Sequence, residues 1–356
     1  MKTRRLIEQV KKTHVGSAAA WLLRPKKHME DVERHLTRQL PYPPTRQQIR
    51  WCFWDYFRFS LLYRGQLDTD YFGAQMYRKS DLVRRESLAH GERYAWRDRI
   101  QAPAHRDIFL DKREFCRAFS DVLGRKWLSA DNCVDQKALA EFLNGCGERV
   151  CSKHPLGYGG KSVRFWDVRS DADRQALIEL WEKEPLIVEE VLSQSEDLYT
   201  FSGCSVNTMR MITLVDRDRQ AHVARSEFRM GRSGMEIDNF SSGGLVAQVD
   251  VESGVIFTPG RDENGREYIF HPDSGKQIVG FRIPEWEAYR QFVCALAERF
   301  PDVRYVGWDV IRNREGQFCV VEGNKDAGVG GLESGLLYGL RPGFEAILNN
   351  IRIDDR

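Results

Sequence analysis

The stretch YVGWDVIRNREGQFCVVEGN, residues 305–324, is the part of the chain that decides its fold. Two runs of β-branched and aromatic residues flank the turn sequence NREG at 313–316, which predicts two strands joined as a β-hairpin. Side chains two residues apart along a strand share a face. The hairpin is therefore expected to present Asp309, Glu322 and Asn324 on one face of a sheet.

The expected pairing of the two strands gives these polar residues a chemical meaning. It puts Asp309 opposite Val320 and Gly307 opposite Glu322, so that the two acids are diagonal neighbours roughly 7 Å apart. Two carboxylates at that distance repel, and a hard divalent cation that takes oxygen ligands from both and from Asn324 removes the repulsion. Gly307 is expected to leave room for the ion. A metal site is the preferred interpretation, and a solvated sheet face is the alternative.

Composition limits the class of protein. A chain of 356 residues with 42% hydrophobic residues is long enough for a globular protein of two or three subdomains. No apolar run approaches the roughly 18 residues that cross a bilayer, and charges interrupt the basic start where an export signal would need an apolar core. The eight cysteines form no CxxC pattern, which favours packing thiols and a cytoplasmic location.

The charge is distributed unevenly along the chain. Residues 1–100 carry 21 Lys/Arg and 11 Asp/Glu, although the whole chain has a formal charge of only +2. Such a region can attract an anionic substrate, an acidic membrane surface or nucleic acid, or it can be a solvated helical surface. No nucleic-acid-binding module is present in the sequence, so we expect no nucleic-acid partner. Neutralising Arg84 and Arg85 is expected to weaken the binding of an acidic substrate.

Local patterns divide the chain into helical and alternating parts. Thr45 to Gln48 resemble a capping box, and apolar residues then recur at helical spacing, so residues 1–105 predict a mainly helical N-terminal region. Residues 101–104 read as a linker. After it, short helices and mainly antiparallel hairpins predict an α+β fold. The predicted strands are 149–152, 186–192, 206–215, 222–230 and the hairpin, and the predicted helices are 112–123, 137–144, 285–300 and 343–350.

A glycine-rich turn carries the first nucleotide signal. Lys153 is predicted at the end of a strand that precedes the turn, and glycines let backbone N–H groups approach phosphate oxygens while a lysine adds a point charge. A P-loop is excluded, because Pro155 occupies a required glycine position and the following residues favour a strand. The expected phosphate-binding residues are Lys153, Gly157, Gly159, Gly160, Lys161 and Ser162.

The strand at 186–192 carries the second nucleotide signal. Its end, Glu189, Glu190 and Val191, is expected to hydrogen-bond adenine through the backbone. Glu196 or Asp197, further along the chain, is expected near the ribose hydroxyls.

In chain order, the lysine and glycine loop, the acidic strand, the strand arginines and the D…E-x-N hairpin resemble the ATP-grasp superfamily over about residues 108–345. The chain looks most like the sugar-transfer-associated ATP-grasp family within it. That resemblance implies two α+β subdomains that bind ATP between them, preceded by the basic region 1–105. The small subdomain, 106–195, carries a phosphate-binding flap at residues 157–162, and the large subdomain, 196–356, carries the magnesium site. The motifs that carry the closer likeness are SVNTMR (205–210), FRMG (228–231), DNFSSGG (238–244), GWDV (307–310) and EGN (322–324).

The resemblance also implies roles for particular residues. Lys112 matches the first ATP-binding lysine and Lys153 the second, with Lys161 as the fallback because His154 separates Lys153 from Pro155. The matches to the magnesium ligands are Asp309, Glu322 and Asn324, the same three residues that the hairpin pattern selects.

The position of the catalytic arginine departs from the pattern of related ligases. In D-alanyl-D-alanine ligases an arginine lies two residues before the metal-binding Asp, and Gly307 stands there in this chain. Arg210 and Arg229 are the candidates to stabilise charge in the transition state. The alternative for each is a strand arginine paired with a neighbouring acid.

These features together predict an ATP-dependent carboxylate-amine ligase, ADP-forming, that acts through an acyl phosphate. The cofactors implied are ATP and Mg2+, with two ions in the site and Mn2+ as a substitute. The partners implied are a carboxylate-bearing substrate and an amine acceptor, one of them a sugar or polysaccharide precursor. Two alternatives stay open: a kinase acting on a sugar or polyol hydroxyl, and a non-catalytic basic binding protein that docks on an acidic polymer or peripherally on a membrane.

Overall fold

The computed structural model describes residues 24–63, 65–102, 105–129, 135–157, 162–328, 333, 336 and 338–348. Within them the chain forms an α+β fold, with one four-stranded and one seven-stranded sheet, both antiparallel. A helical N-terminal region precedes the sheets, so the predicted fold class is confirmed. Among these residues no helix combines the length and the apolar character that a membrane span requires.

The N-terminal region has an apolar core of its own. Thr45 and Gln48 exchange the two hydrogen bonds of a capping box, at 2.8 and 3.2 Å, which confirms the predicted start of the second helix. Val32, Phe59 and Tyr71 are fully buried in this core, whereas Leu61 is exposed. The elements are α1 (Pro25–Gln39), α2 (Arg46–Tyr63), a π-helical segment (Leu67–Gly73), a 3-10 turn (Met76–Arg78), α3 (Asp81–Glu86) and α4 (His90–Ile100).

The four-stranded sheet lies between residues 127 and 190 and has the strand order β1-β4-β2-β3. Two helices pack on it through Leu139 and Leu177, which are fully buried. The elements of this part are a 3-10 turn (Arg106–Phe109), α5 (Lys112–Ala118), a 3-10 turn (Ser120–Val122), β1 (Trp127–Ser129), α6 (Gln136–Asn144), β2 (Arg149–Lys153), β3 (Arg164–Asp167), α7 (Asp171–Lys183) and β4 (Ile187–Glu190).

The seven-stranded sheet has the order β11-β10-β5-β6-β7-β8-β9, so the hairpin β10-β11 forms one edge and β5 is its neighbour. The elements are α8 (Glu196–Tyr199), β5 (Met209–Val215), β6 (Ala221–Met230), a 3-10 turn (Phe240–Ser242), β7 (Leu245–Val249), β8 (Gly260–Arg261), β9 (Glu267–Tyr268), α9 (Trp286–Glu298), β10 (Tyr305–Arg312), β11 (Phe318–Asn324) and α10 (Arg341–Leu348).

The two faces of the large sheet differ in chemistry. One face is mainly apolar and packs on α9, with Met211, Phe228 and Trp308 fully buried. The other face is apolar only at one end, where Ile212 and Tyr305 pack against α4 and α10. The remaining part of that second face carries the polar residues of the motifs, so the N-terminal region borders the polar area directly.

The predicted linker at 101–104 is only partly described, because 103 and 104 lie outside the described residues. Gln101 is buried and its side-chain amide donates 2.7 Å to the carbonyl of Tyr305. The N–H of Ala102 donates to the carbonyl of Asp302 at 3.2 Å. These two residues therefore belong to the packed contact between α4 and the large sheet, and the prediction of a free linker is wrong for them.

Candidate active site

The hairpin forms as predicted, but its register differs. Asp309 lies directly opposite Glu322, and Gly307 lies opposite Asn324. Two shifts make the expected pairs wrong: the turn already pairs Arg312 with Phe318, one residue beyond the expected register, and a β-bulge between Asp309 and Val310 adds one more residue to β11. Because Glu322 and Asn324 are two residues apart, the three predicted metal ligands still share one face.

Gly307 does not leave room for an ion. A Cβ atom at this position would overlap the Cβ of Ala327 and lie 3.3 Å from Cδ of Arg210. The lack of a side chain at Gly307 therefore allows Arg210 and Ala327 to pack closely over the strand. The predicted role of this glycine was wrong.

A row of charged residues crosses four adjacent strands on this face. Glu322, Asp309, Arg210 and Glu227 occupy the same rung of β11, β10, β5 and β6, and we call them the polar row. Arg210 donates two hydrogen bonds of 2.6 Å to Asp309, one to each carboxylate oxygen. Although burial acts in the opposite direction, Arg210 and Arg229 hold the pKa of Asp309 below its ordinary value.

Arg229 lies beside this row. Its Nε donates 2.8 Å to Glu227, and its Nη1 is 3.6 Å from Asp309. Arg210 and Arg229 therefore both lie close to the Asp309 carboxylate. Each arginine is also paired with an acid on a strand, as the alternative interpretation of these residues expects. Glu227, which the sequence did not single out, is buried, and its Oε2 atom has no hydrogen-bond partner in the described part of the chain.

The SVNTMR and DNFSSGG motifs meet next to the row. The N–H and hydroxyl of Thr208 donate to Asp238 at 2.7 and 2.6 Å. Burial raises the pKa of Asp238, although the Thr208 contacts oppose that rise. Asn207 is fully buried and accepts from the N–H of Gly231 at 2.9 Å. These residues hold the loop and the ends of β5 and β6 in place. Arg210 and Arg229 are then the neighbouring groups that can act on a substrate.

A cleft separates the small sheet from the edge strand β11. Lys112, Lys153 and Glu189 line it on one side and Glu322 and Asn324 on the other. The Nζ of Lys112 donates 2.6 Å to the carbonyl of Gly157 and lies 3.5 Å from Glu322. Lys112, Lys153, Glu322 and Asn324 thus face one cleft, whereas Asp309 lies on the next strand and does not line it.

Lys153 is not a free cation. It forms an ion pair with Glu189, whose other oxygen accepts from Arg125 at 3.0 Å. The side chain of Glu189 is buried, and although burial opposes it, Arg125 and Lys153 hold its pKa below the ordinary value of 4.5. Arg125 also donates 2.9 Å to the carbonyl of Val320 and so joins the small sheet to β11. Sequence patterns missed Arg125, since only the fold makes it a bridge.

The strand predicted at 186–192 forms as β4, and backbone N–H groups at its end are engaged in hydrogen bonds. The N–H of Glu190 donates to the carbonyl of Lys126 at 3.0 Å, and that of Val191 to the carbonyl of Arg149 at 3.3 Å. Neither N–H group is free for adenine. Glu196 lies at the start of α8, on a separate cavity that it shares with Arg312.

The glycine-rich turn is described only at its ends. Gly157 closes a tight turn, with its N–H 3.0 Å from the carbonyl of His154, and the Ser162 hydroxyl would collide with any Cβ there. Gly159, Gly160 and Lys161 lie outside the described residues.

The predicted magnesium ligands fit a hard cation chemically. Among the described residues no three His, Cys, Asp or Glu side chains converge as a metal site. The predicted set needs only two of these, because the third ligand is the amide oxygen of Asn324, which accepts one 2.8 Å bond from the N–H of Asp326 and keeps a second lone pair. Each Asp309 oxygen likewise retains a lone pair beside its bond to Arg210.

The arginines that the sequence analysis assigned to an acidic substrate lie elsewhere. Arg84 is buried and donates two 2.8 Å hydrogen bonds to Asp55 and one to the carbonyl of Met76. Arg85 is exposed. The two therefore do not form one substrate-facing cluster, and Arg84 belongs to the core of the N-terminal region.

Residues 179–347 match the family model described as sugar-transfer associated ATP-grasp. The matched segment is just under half of the chain, includes the polar row and is similar to that ATP-grasp family, as the resemblance predicted. No curated protein matches the chain.

Solved structures with a similar fold include the ATP-grasp ligase PsnB complexed with minimal precursor, at 14% identity and a TM-score of 0.44 over 73% of this chain and 68% of that one. The ADP complex of N5-carboxyaminoimidazole synthetase from Staphylococcus aureus matches at 11% and 0.41 over 65% and 48%. The biotin carboxylase domain of Hydrogenobacter thermophilus 2-oxoglutarate carboxylase, solved with MgADP, matches at 12% and 0.38 over 63% and 41%. At these identities and TM-scores the likenesses say nothing about what this protein transforms.

Proposed function

We propose that the protein is an ATP-dependent carboxylate-amine ligase that forms ADP and an acyl phosphate intermediate. The observation that carries this proposal is the polar row, which runs from Glu322 at the cleft to Arg210 and Glu227, with Lys112 only 3.5 Å from Glu322. Cations and hard oxygen ligands in one cleft suit a magnesium nucleotide. Arginines next to them suit a substrate on which negative charge develops.

The nucleotide part of the proposal uses residues on both walls of the cleft. Lys112 and Lys153 bind phosphate oxygens, and the ion pair with Glu189 keeps the Lys153 ammonium in position. Asp309, Glu322 and Asn324 would hold magnesium, which supplies charge neutralisation at the phosphates when bound. Further phosphate contacts are proposed for Gly157, Gly159, Gly160, Lys161 and Ser162 of the glycine-rich turn.

The adenine and ribose contacts follow from the backbone around β4. Since the N–H groups of Glu190 and Val191 are engaged in the sheet, adenine is read by other backbone groups at this strand end. Glu196 is assigned to the ribose hydroxyls as the nearest acid that follows the strand. It lines a cavity separate from the cleft of Lys112 and Lys153, so the nucleotide would have to extend from one to the other.

The two arginines have different tasks in this proposal. Arg210 uses Nε and Nη2 on Asp309 and therefore fixes the orientation of that carboxylate. Arg229 is more exposed, 16% against 8% for their side chains, and has donors left to offset charge on the tetrahedral intermediate. A substrate carboxylate attacks the γ-phosphorus and ADP leaves. An amine then attacks the acyl carbon and inorganic phosphate leaves.

The finer parts of the proposal depend on the family match. A carboxylated or amino sugar, such as a precursor of a cell-surface polysaccharide, is the proposed substrate class, and the cytoplasm is the proposed location. The proposed organisation is a helical region at 1–105, a small ATP-grasp subdomain at 106–195 and a large one at 196–356.

Hydroxylamine trapping tests the reaction type. The protein is incubated with ATP, magnesium and a panel of uronic acids and amino acids, and ADP and hydroxamate are both measured. A ligase gives hydroxamate from the acyl phosphate, and Glu322→Gln serves as the inactive control. ADP without hydroxamate would identify a kinase. The absence of both ADP and hydroxamate would favour a binding protein.

A further inference from the structure

Arg93 on α4 is a buried cation, only 6% exposed, whose side chain makes no ion pair or hydrogen bond within the residues that the structure describes. Its guanidinium carbon lies 5.1 Å from the ring of the adjacent Tyr94. A buried, unpaired guanidinium is costly unless an anion arrives to complete it. The proposed mechanism does not use this residue.

Arg93 lies beside the loop that follows β11. Arg93 precedes Trp96 and Ile100 by three and seven residues, so it shares the helix face that packs on the large sheet. A Cβ at Gly328 would lie 3.9 Å from Arg93 Nη1. Ala327, the residue before Gly328, packs on Gly307, and Gly307 lies opposite Asn324. Arg93 is therefore connected, through Gly328 and Ala327, to the strand ends that carry Gly307 and the predicted metal ligand Asn324.

Glu333 is a buried acid close to the same helix. It is 1% exposed, its Oε1 accepts from the N–H of Leu88 at 2.8 Å, and its Oε2 has no hydrogen-bond partner among the described residues. Lys79 donates to the backbone carbonyl of Glu333 at 2.9 Å and makes no ion pair with its carboxylate in the described part of the chain.

Arg93 and Glu333 are near each other but do not pair. Burial raises the pKa of Glu333 to about 7, and the Arg93 and Lys79 charges oppose that rise. The acid and the guanidinium nevertheless form no ion pair in the part of the chain that the structure describes. The Arg93 guanidinium and the Glu333 carboxylate are thus buried, oppositely charged and separate, and each has polar atoms without a partner among the described residues. A ligand that carries both charges could bridge them.

We infer that Arg93 and Glu333 form the acceptor subsite, which binds a substrate carrying both a carboxylate and a protonated amine. Arg93 holds the carboxylate with its planar fork of donors, and Glu333 accepts from the ammonium. Amino acids and amino uronic acids share this chemistry. The inference rests on the proposed function, because it names the substrate class of that same site.

Calorimetry without ATP tests this subsite with four probes. L-glutamate and glucosaminuronate carry both charges, glucuronate carries only the carboxylate, and glucosamine carries only the amine. We expect the probes with both charges to bind most tightly, and the stronger of the two distinguishes an amino acid from a sugar. Arg93→Ala should weaken that probe by about tenfold or more, and Arg93→Lys by less.

Matched variants separate the subsite from general charge effects. Arg99→Ala removes the same charge from the exposed side of the same helix and should change probe affinity by less than about twofold. Glu333→Gln keeps an acceptor for the N–H of Leu88 and should weaken only the probes that carry an amine.

Two outcomes would overturn the subsite. One is unchanged affinity in both Arg93→Ala and Glu333→Gln, and the other is no binding of any of the four probes. ATP affinity, measured on the same samples, keeps the proposals apart. If the wild type does not bind ATP but binds the probes in a way that depends on Arg93, the ligase proposal is refuted and the subsite is kept. If the wild type binds ATP but its probe binding does not depend on Arg93 or Glu333, the subsite is refuted and the ligase proposal is kept.

Discussion

Arg210 and Asp309 stand opposite each other on β5 and β10 and are joined by two hydrogen bonds of 2.6 Å. Both side chains are almost fully buried, at 8% and 12% exposure. The carboxylate that the proposal assigns to magnesium is therefore oriented by an arginine from the neighbouring strand. Breaking a buried pair on one side leaves the other charge uncompensated.

Asp309→Asn and Glu322→Gln should separate stability from activity. Both are expected to lower magnesium-dependent ADP release by about a hundredfold or more, since each removes a charge from the ligand set. Only Asp309→Asn should also lower the free energy of unfolding, by about 3 kcal/mol, because it leaves Arg210 buried without its counter-ion. Urea denaturation and an ADP-release assay measure the two effects. Turnover near that of the wild type in both variants would refute the metal assignment.

Arg229→Lys and Arg210→Lys should differ in kind. We expect Arg229→Lys to lower kcat by about a hundredfold, as for the loss of one oxyanion donor, with the melting temperature retained. Arg210→Lys loses the bidentate contact with Asp309, so it should lower the melting temperature as well. Steady-state kinetics and thermal melting distinguish them. Equal losses of stability in both variants would show that Arg229, like Arg210, is mainly structural.

Arg84→Ala and Arg85→Ala form a matched pair of neighbouring charge deletions. Arg84 is buried against Asp55, and its loss should cost about 3 kcal/mol of unfolding free energy. Arg85 is exposed, and its loss should cost less than about 0.5 kcal/mol. Denaturant unfolding followed by circular dichroism measures both. Similar stabilities for the two variants would contradict the core role of Arg84.

Glu333 should make stability depend on pH in a defined window. Its pKa rises from 4.5 to about 7 on folding, because burial disfavours the charged form. The folded state therefore binds more protons than the unfolded state between these values, and stability falls as the pH rises through them. Glu333→Gln mimics the neutral acid and lacks this dependence. Lys79, whose pKa burial lowers to about 8, titrates above the window.

The measurement for Glu333 is the difference in unfolding free energy between the wild type and Glu333→Gln. The wild type should lose about 3 kcal/mol relative to the variant from pH 4.5 to 7, and the difference should then stay level. A constant difference across this window would mean that Glu333 titrates normally in the folded protein.

The sequence by itself determined the elements that depend on local pattern. The hairpin at 305–324, the capping box at Thr45 and the strand and helix types follow from spacing, turn chemistry and hydrogen bonds between near neighbours. The shared face of Asp309, Glu322 and Asn324 is retained as well, because the turn and the bulge together shift the pairing by two residues, and a shift of two returns side chains to the same face. The order of the motifs was enough to indicate the ATP-grasp family.

Only the tertiary structure decided which residues those local patterns bring together. The bulge after Asp309, the contact of Arg210 with Asp309 and the bridge from Arg125 to β11 depend on strand order and on packing between segments far apart in the chain. Arg93 and Glu333 are separated by most of the sequence, and Arg84 and Arg85 are adjacent yet one is buried and the other exposed. Charge counts and spacing are the same whichever way a side chain points, so burial and pairing emerge only when the sheets and helices have packed.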